Sequence, residues 1–314
     1  MSAYLVTGGA GFIGSHLVAE LLSRGERVRV VDNLVTGRRE NLAPFGSSVE
    51  FIEADLADEN VARRSVAGID YVLHQAAIPS VPRSVEEPLL CHRANVDATL
   101  NLLVASRDAS VRRLVFAGSS AVYGNAADLP KREDMPPDPL TPYALQKLVS
   151  EQYARMFTSL YALETVTTRY FNVFGPRQDP SSPYSGVISL FIRALLDGRP
   201  PVIHGDGGQT RDFTYVANVV DGVLKACHAP GAAGKVFNVA TGSRVSLNEL
   251  YGALRSLTGS NVEPAYGPAR TGDVRDSQAD IGRARHDLGY EPTIGFEDGL
   301  ERTLAWARGD ATAR

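Results

Sequence analysis

The chain has few cysteines, few histidines and no long apolar run. Its two cysteines among 314 residues, Cys91 and Cys227, form no CxxC pair, so we expect both thiols to be reduced and buried. The six histidines lack metal-ligand spacing, and we predict no metal site. No segment approaches the ~18 consecutive apolar residues of a membrane span, and no signal-peptide pattern precedes Tyr4-Leu5-Val6. We therefore expect a cytoplasmic protein without a membrane segment.

The chain also lacks a strong charge of either sign. Its net charge is −4, its pI is about 5.9, and its composition is 44% hydrophobic and 22% charged. These values are ordinary for a globular protein, and they argue against a general binder of nucleic acid or anionic membranes. The length allows one large α/β domain with a smaller partner, or two ordinary domains.

The first half of the chain alternates β-branched runs with amphipathic helical patterns. Single helices between strands predict right-handed crossovers and an α/β fold with a doubly wound parallel sheet of the Rossmann type. Ligands of such sheets bind beyond the carboxyl ends of the strands. The predicted strands are 3–7, 28–31, 49–54, 71–74, 114–117 and 165–169, and the predicted helices are about 12–24, 92–107 and 143–160.

After about residue 172 the elements become shorter and are interrupted by glycine and proline. We interpret this region as a smaller α/β substrate-binding domain. The strand-like Val236–Val239 is expected to return to the main sheet, so that the two domains interleave. The predicted division is 1–172 plus about 213–241 for the nucleotide-binding domain, and about 173–212 plus 242–310 for the substrate domain.

A glycine-rich turn, Gly8-Gly9-Ala10-Gly11-Phe12-Ile13-Gly14, lies between the first strand and the first helix. Glycines there permit a tight turn, and the helix N-terminus offers free N–H groups to a pyrophosphate. Asp32 follows 18 residues after the last of these glycines, where a carboxylate can accept both ribose hydroxyls and would repel a 2′-phosphate. This favours NAD, although Arg38 and Arg39 keep NADP open.

Tyr143 and Lys147 are i,i+4 neighbours on a helix that Thr141 and Pro142 are expected to begin. A phenol with its ordinary pKa of about 10 is a poor base, and a cation one turn away would lower that pKa. Only 4 of the 32 basic residues are lysines, which makes a lysine here notable. The alternative is a Tyr–Lys pair on the surface of a helix.

Together these residues resemble the extended short-chain dehydrogenase/reductase family and, within it, the UDP-galactose 4-epimerases. The resemblance spans nearly the whole chain in the order that the family shows. The matching stretches are TGGAGFIGSHL (7–17), VVDNL (30–34), ADL (54–56), HQAA (74–77), NV (95–96), SSAVYG (119–124), YALQK (143–147), RYFNVFGPRQ (169–178), TRDFTYV (210–216) and RTGD (270–273).

The resemblance implies roles for individual residues. Tyr143 would remove the proton of the sugar 4-hydroxyl, Lys147 would lower the pKa of Tyr143 and hold the nicotinamide ribose, and Ser119, or the adjacent Ser120, would bond the same hydroxyl. The expected NAD contacts are Gly8, Gly11, Phe12, Ile13, Gly14, Asp32, Asn33, Asp55, Leu56, Ala76, Asn95, Tyr143 and Lys147. The expected UDP-sugar contacts are Ser80, Ser120, Asn172, Val187, Arg211, Arg270, Asp273 and Ser277.

Several of these residues also have a purely structural interpretation. Asp55 could cap a loop, Asn95 could start a helix, and Ser277 could cap a turn. Arg211 and Arg270 could instead form surface ion pairs. Arginine nevertheless suits phosphate, because it stays charged and binds phosphate in a forked geometry.

The departures from related enzymes narrow the expected reaction. Ser120-Ala121 stands where related dehydratases and decarboxylases carry acids, so the chain lacks the extra acid that those reactions need. The segment 78–84 lacks a lysine common in glucose/galactose epimerases, and Ser277 replaces a bulky tyrosine of glucose-only relatives. We therefore expect a UDP-hexose 4-epimerase that also accepts N-acetylated hexoses, and a homodimer paired through helices near 92–107 and 143–160.

Three rival functions remain at the level of the sequence. Epimerisation of UDP-glucuronate would require polar side chains that bind the C6 carboxylate. A net oxidoreductase would release its keto product or exchange its reduced cofactor. A non-catalytic protein that binds NAD or a nucleotide sugar is compatible with the fold, but the presence of Ser119, Tyr143 and Lys147 argues against it.

Overall fold

The central feature of the computed structural model is a seven-stranded parallel sheet. The structure describes residues 1–180, 186–269 and 274–310. The strands of the sheet are β1 (Ala3–Thr7), β2 (Arg27–Asp32), β3 (Val49–Glu53), β4 (Tyr71–His74), β5 (Arg113–Ser119), β6 (Glu164–Tyr170) and β11 (Val236–Val239). Their order is β3-β2-β1-β4-β5-β6-β11. The predicted doubly wound parallel sheet is therefore confirmed, as is the return of the 236–239 strand.

Helices cover both faces of this sheet because its strands are buried on both sides. On β1, Tyr4 and Val6 pack against one face, whereas Ala3 and Leu5 pack against the other. The helices of this part are α1 (Phe12–Ser23), α2 (Glu59–Ser65), α3 (Val81–Glu86), α4 (Pro88–His92), α5 (Ala98–Asp108), α6 (Pro142–Tyr161) and α8 (Val216–His228). The resulting α/β/α sandwich is the architecture expected for near-continuous apolar strands.

The remaining elements form a second apolar core beside the carboxyl edge of the sheet. This core includes Phe174, Phe191, Phe213 and Leu250. Its helices are α7 (Val187–Leu196), α9 (Leu247–Thr258) and α11 (Phe296–Arg308), and its short strands are β7 (Val173–Phe174), β8 (Val202–His204), β9 (Thr210–Arg211), β10 (Thr214–Tyr215), β12 (Val245–Ser246) and β13 (Ala265–Gly267). Helix α10 (Gly282–Leu288) packs instead against α8 and β11 in the core of the main sheet.

One predicted helix differs from the structure. The helix expected at about 92–107 begins at Pro88 and contains a wider π-turn at Arg93–Asp97 before α5. Thr99 Oγ1 and Ser150 Oγ both donate to the carbonyl oxygen of Asn95 within this turn. Side-chain donors stabilise the irregular turn, which helical periodicity does not reveal.

The start of α6 and the two cysteines agree with the predictions. Thr141 Oγ1 accepts a hydrogen bond from Ala144 N at 3.2 Å, which confirms the predicted N-cap of α6. Cys91 and Cys227 are both buried free thiols, as expected. Among the residues that the structure describes, no helix combines the length and apolar character needed to cross a membrane.

Candidate active site

A cleft of about 1170 Å³ opens where the strand order reverses, between β1 and β4. This is the position at which doubly wound sheets bind their ligands. Its walls come from the carboxyl ends of the sheet strands and from the second core. Single-ligand sites span roughly 300–1,000 Å³, so this cleft has room for more than one ligand.

The glycine turn brings the N-terminus of α1 against the end of β1. Gly8 has a φ of +65°, and a Cβ on Gly8 would lie 2.8 Å from the Ala76 backbone. A Cβ on Gly14 would lie 2.2 Å from the Gly8 carbonyl oxygen. Only glycine permits these approaches. The unpaired N–H groups of the first helical turn therefore face the cleft edge, which is a favourable site for a diphosphate.

Asp32 lies at the carboxyl end of β2 and is 7% exposed. Its carboxylate accepts hydrogen bonds from Ala10 N at 3.0 Å and from Leu34 N at 2.8 Å. Burial raises the pKa of Asp32, and these two N–H groups oppose that shift. The carboxylate is thus held in one orientation on the cleft wall, where it can accept ribose hydroxyls.

The two arginines that could have favoured NADP already contact carboxylates. Arg38 pairs with Asp179 at 2.5 Å, and Arg39 pairs with Glu53. Either arginine would have to give up a carboxylate to bind a 2′-phosphate. Together with the carboxylate of Asp32, this arrangement favours NAD.

The structure places nearly all of the expected cofactor residues on the cleft wall. Those that line the cleft are Gly8, Gly11, Phe12, Ile13, Gly14, Asp32, Asn33, Asp55, Leu56, Ala76, Tyr143 and Lys147. Asp55 also accepts a hydrogen bond from Ala57 N at 2.9 Å, so it caps its loop as well as facing the cleft.

Asn95 is the exception among these residues, because it does not line the cleft. Its side chain is 3% exposed and bonds the backbone N and O of Ile78 and the side chain of Gln146. It does not start a helix either, since it lies inside the π-turn. Asn95 therefore ties the cleft-lining segment after β4 to α6 rather than presenting itself to a ligand.

Tyr143, Ser119 and Lys147 meet on the cleft wall between β5 and α6. The Ser119 hydroxyl lies close enough to the Tyr143 phenol to lower its pKa. Lys147 is 5% exposed, donates to the Ala117 carbonyl oxygen at 2.9 Å, and lies 5.0 Å from the centre of the Phe116 ring. The alternative of a Tyr–Lys pair on the helix surface is therefore wrong.

The electrostatics of this triad differ from the expectation. Burial raises the pKa of Tyr143, with the nearby Ser119 hydroxyl opposing the rise, whereas a lowered pKa was expected. Burial also lowers the pKa of Lys147 to about 8. Desolvation disfavours the charged form of both groups, and the ammonium is engaged by Ala117. Burial thus favours the neutral forms of both Tyr143 and Lys147.

The expected substrate residues divide into three groups. Ser80, Ser120, Asn172, Arg211 and Ser277 line the cleft. Val187 lines a small neighbouring pocket that it shares with Asn172. Arg270 and Asp273 lie outside the described residues.

Hydrogen bonds to the backbone hold three of these expected substrate residues, Arg211, Ser277 and Asn172, in place. Arg211 Nη1 donates to the carbonyl oxygens of Thr210 at 2.8 Å and Arg275 at 3.3 Å, and Ser277 N donates to Thr210 O at 3.1 Å. Asn172 has a φ of +23°, and its carbonyl oxygen accepts a hydrogen bond from Thr214 N.

The structure also shows polar residues that sequence reasoning did not assign. Ser84 Oγ accepts a hydrogen bond from Tyr143 N at 3.1 Å, which joins α3 to the start of α6. Tyr170 donates to Gln75 Oε1 at 3.0 Å across the cleft floor, and burial raises the pKa of Tyr170 to about 12. Gln75 and Tyr170 fall within the matching stretches HQAA and RYFNVFGPRQ, so the sequence could have indicated a role for them. No matching stretch contains Ser84.

A buried chain of hydrogen bonds links the glycine turn to the π-turn. His74 bonds Thr7 Oγ1 at 2.7 Å through Nδ1 and Thr99 Oγ1 at 2.9 Å through Nε2. Because Thr99 donates to the Asn95 carbonyl, it accepts from His74, which assigns the proton to Nε2. Burial lowers the pKa of His74 to about 3, so the ring is neutral and structural.

Comparison with known proteins agrees with this geometry. Residues 4–240 match the model of the NAD dependent epimerase/dehydratase family. The chain belongs to this family.

Individual relatives are similar over their full length. A UDP-glucose 4-epimerase of Mycolicibacterium smegmatis is 41% identical over 308 residues, which is 97% of this chain and 98% of the relative. The structure of Thermus thermophilus UDP-glucose 4-epimerase in complex with NAD is similar with a TM-score of 0.90 and 37% identity, covering 98% of this chain and 100% of that one. The UDP-N-acetylglucosamine 4-epimerase of Methanobrevibacter ruminantium, in complex with UDP-N-acetylmuramic acid, has a TM-score of 0.94 and 39% identity, covering 98% of each chain.

The glycine contact gives a direct test of the cofactor site. Gly14→Ala places a Cβ 2.2 Å from the Gly8 carbonyl oxygen, so α1 must move away from β1. We expect the purified variant to lose its bound NAD, measured by the ratio of absorbance in the nucleotide and protein bands after gel filtration.

Gly252→Ala is the matched control, because this glycine lies within α9 with no atom within 4 Å of an added Cβ. It should retain NAD and gain about 0.5–1 kcal/mol of stability. Full NAD occupancy in Gly14→Ala would contradict the assignment of this turn as the diphosphate site.

Proposed function

We propose that the protein is an NAD-dependent UDP-hexose 4-epimerase that interconverts UDP-glucose with UDP-galactose and UDP-N-acetylglucosamine with UDP-N-acetylgalactosamine. The observation that carries this proposal is that Ser119, Tyr143 and the buried Lys147 line the same cleft wall, with the Ser119 hydroxyl close enough to the Tyr143 phenol to lower its pKa. Ser120-Ala121 follows without an added acid, which suits reversible oxidation rather than elimination or decarboxylation.

Two features of the chain itself fit the cleft to NAD. The glycine turn leaves no room for a side chain at Gly8 or Gly14, and Asp32 is oriented for ribose hydroxyls. We assign Lys147 to the nicotinamide ribose and the first turn of α1 to the diphosphate. Bound NAD supplies a positively charged hydride acceptor that can also return the hydride.

In this mechanism the side chains of the protein transfer one proton, that of the sugar 4-hydroxyl. Tyr143, as phenolate, takes the proton of the sugar 4-hydroxyl, while Ser119 bonds both the phenol and that hydroxyl. As the hydride leaves C4, the oxygen becomes a carbonyl and the product is a 4-keto sugar. After the sugar presents its other face and regains the hydride at C4, Tyr143 returns the proton. The cycle is redox-neutral, and Tyr143 is regenerated.

The nucleotide is held at the other end of the cleft. We assign Asn172, Arg211, Arg270 and Asp273 to the UDP part, so that the sugar can rotate while its nucleotide stays bound. We accordingly assign 173–212 plus 242–310 to substrate binding and 1–172 plus 213–241 to NAD. The free, buried thiols of Cys91 and Cys227 support a cytoplasmic location.

Removal of one hydroxyl tests the proposed base. Tyr143→Phe should lower kcat for UDP-galactose by about 10²–10⁴-fold, because the variant cannot accept the proton. Bound NAD should remain, since the glycine turn and Asp32 are unchanged. The measurement is turnover without added NAD, together with the NAD content of the purified variant.

Tyr161→Phe is the control on the same helix, because Tyr161 is 47% exposed and does not line the cleft. It should have wild-type turnover. A Tyr143→Phe variant with an unchanged rate would eliminate Tyr143 as the base.

Ser277 is proposed to leave space for an N-acetyl group beside the sugar. Ser277→Tyr should fill that space and lower kcat/KM for UDP-N-acetylglucosamine by more than about 10-fold through steric exclusion, with less than about 3-fold change for UDP-glucose. Ser277→Ala should leave both substrates unaffected. If the tyrosine variant kept its N-acetyl activity, Ser277 would have no role in sugar selection.

We further propose a homodimer formed through the outer faces of α4 and α6. Leu145, Met156 and Leu160 recur on one face of α6 with 51%, 48% and 63% exposure, and Leu89 on α4 is 85% exposed. Exposed apolar side chains at helical spacing are typical of a helix-packing interface. Leu145→Glu combined with Leu160→Glu should convert the dimer to a monomer by light scattering. A wild-type mass of one chain would contradict the proposal.

A further inference from the structure

Arg177 lies in the short segment that follows β7 and lines the cofactor side of the cleft. Its φ is +67°, a left-handed conformation that is uncommon for a residue with a side chain. Such a conformation persists only where neighbouring contacts hold it. The contacts of this segment therefore indicate what the arginine is positioned to do.

Two contacts on either side of Arg177 pin the segment across the cofactor half of the cleft. His16 Nε2, on α1, bonds the Pro176 carbonyl oxygen at 2.9 Å. Asp179 pairs with Arg38, which follows β2. The backbone at Arg177 is thus fixed between the first helix and the segment that follows the ribose-facing carboxylate.

The Arg177 side chain extends toward the start of α1. Nη1 donates to the Ser15 carbonyl oxygen at 3.0 Å, and the guanidinium carbon lies 5.9 Å from the centre of the Phe45 ring. Among the residues that the structure describes, no carboxylate forms an ion pair with it. Burial lowers its pKa, which is the signature of a partly desolvated cation without a counter-charge.

Two other basic side chains of the cleft are already engaged away from the glycine turn. Arg83 pairs with Glu87 at the end of α3. Lys131 donates to the Ala126 carbonyl oxygen. Neither side chain is therefore positioned to serve the diphosphate.

The remaining basic side chains of the described cleft wall have other positions or partners. Lys147 bonds Ala117 O beneath the catalytic phenol, and Arg38 pairs with Asp179. Arg211 lies at the substrate end, where it bonds backbone carbonyl oxygens. Arg177 is thus the cation best placed to meet the diphosphate.

The cofactor needs a cation in this half of the cleft. Its diphosphate carries two negative charges, and the neighbouring Asp32 adds a third. The N-terminus of α1 contributes only about +0.5 of a charge. A guanidinium can supply the remaining charge through a forked pair of hydrogen bonds to phosphate oxygens.

We propose that Arg177 is the counter-cation of the NAD diphosphate and that it holds the cofactor in the cleft throughout the catalytic cycle. Ser15 occupies one of the five N–H donors of the guanidinium and orients the group, and the remaining donors serve the phosphates. The inference rests on the proposed use of NAD and is independent of which sugar is the substrate. It assigns Arg177 to cofactor retention rather than to the chemical step.

The experiment compares Arg177→Met and Arg177→Lys with the wild-type protein. Arg39→Met is the matched control, because Arg39 is in the neighbouring segment, pairs with Glu53 and does not line the cleft. The first readout is the rate at which NAD leaves the holoenzyme in the presence of excess ADP-ribose. The second is the affinity of NAD-depleted protein for ADP-ribose and for adenosine, measured by calorimetry.

We expect Arg177→Met to release NAD faster and to bind ADP-ribose about 10–100-fold more weakly, the range for loss of a charge-assisted hydrogen bond. Adenosine, which has no phosphate, should bind within about 3-fold of the wild type, because its contacts do not involve the guanidinium. The affinity of Arg177→Lys for ADP-ribose should lie between those of Arg177→Met and the wild type, because lysine keeps the charge but loses the forked geometry of the guanidinium. Arg39→Met should match the wild type.

Two results would overturn the inference. Unchanged ADP-ribose affinity in Arg177→Met would show that the diphosphate does not use this cation. An equal loss for adenosine and ADP-ribose would show that Arg177 only anchors its segment to α1. A wild-type protein that binds neither NAD nor ADP-ribose would contradict the proposed function itself, and the inference with it. Should Arg177→Met fail to fold, Arg177→Lys carries the same comparison.

Discussion

The proposed reaction depends on the phenol of Tyr143, a half-buried group on the cleft wall that would have to lose its proton there. Desolvation raises the pKa of Tyr143, and the nearby Ser119 hydroxyl opposes that rise. In the proposed mechanism the positive charge of oxidised NAD would favour the phenolate. The same desolvation would limit the access of water to the proposed keto sugar between the two hydride transfers.

The remaining architecture suits the proposed binding of two ligands that have different degrees of freedom. The contact of Gly14 with Gly8 sets α1 against β1, and the neutral His74 joins that turn to the π-turn that carries Asn95. Asn95 and Gln146 then connect the segment after β4 to α6. The cofactor half of the cleft is thus a rigid polar frame, which suits a cofactor that stays bound while the sugar turns.

The sequence predicted the parts of the structure that depend on local patterns. β-branched runs located the strands, the return of Val236–Val239 to the sheet was correct, and Thr141 capped α6 as expected. The π-turn was missed because long-range donors stabilise it. The direction of the Tyr143 pKa shift was wrong, because spacing along a helix gives the distance to a cation but not the depth of burial. Ser84 bonds the backbone of Tyr143 from a distant segment, and neighbouring residues in the sequence do not reveal this contact. Arg177 falls within the RYFNVFGPRQ match, but the match does not reveal its bond to the Ser15 carbonyl oxygen.

In the proposed mechanism the hydride removed from C4 is the one returned to it, on a cofactor that stays bound. The most direct measurement uses UDP-galactose labelled with deuterium at C4, incubated in unlabelled water with dialysed holoenzyme and no added NAD. We expect UDP-glucose that retains the deuterium at C4, with no net accumulation of the absorbance of reduced nicotinamide. Loss of the label to solvent, or release of a keto sugar with stoichiometric reduced cofactor, would contradict it.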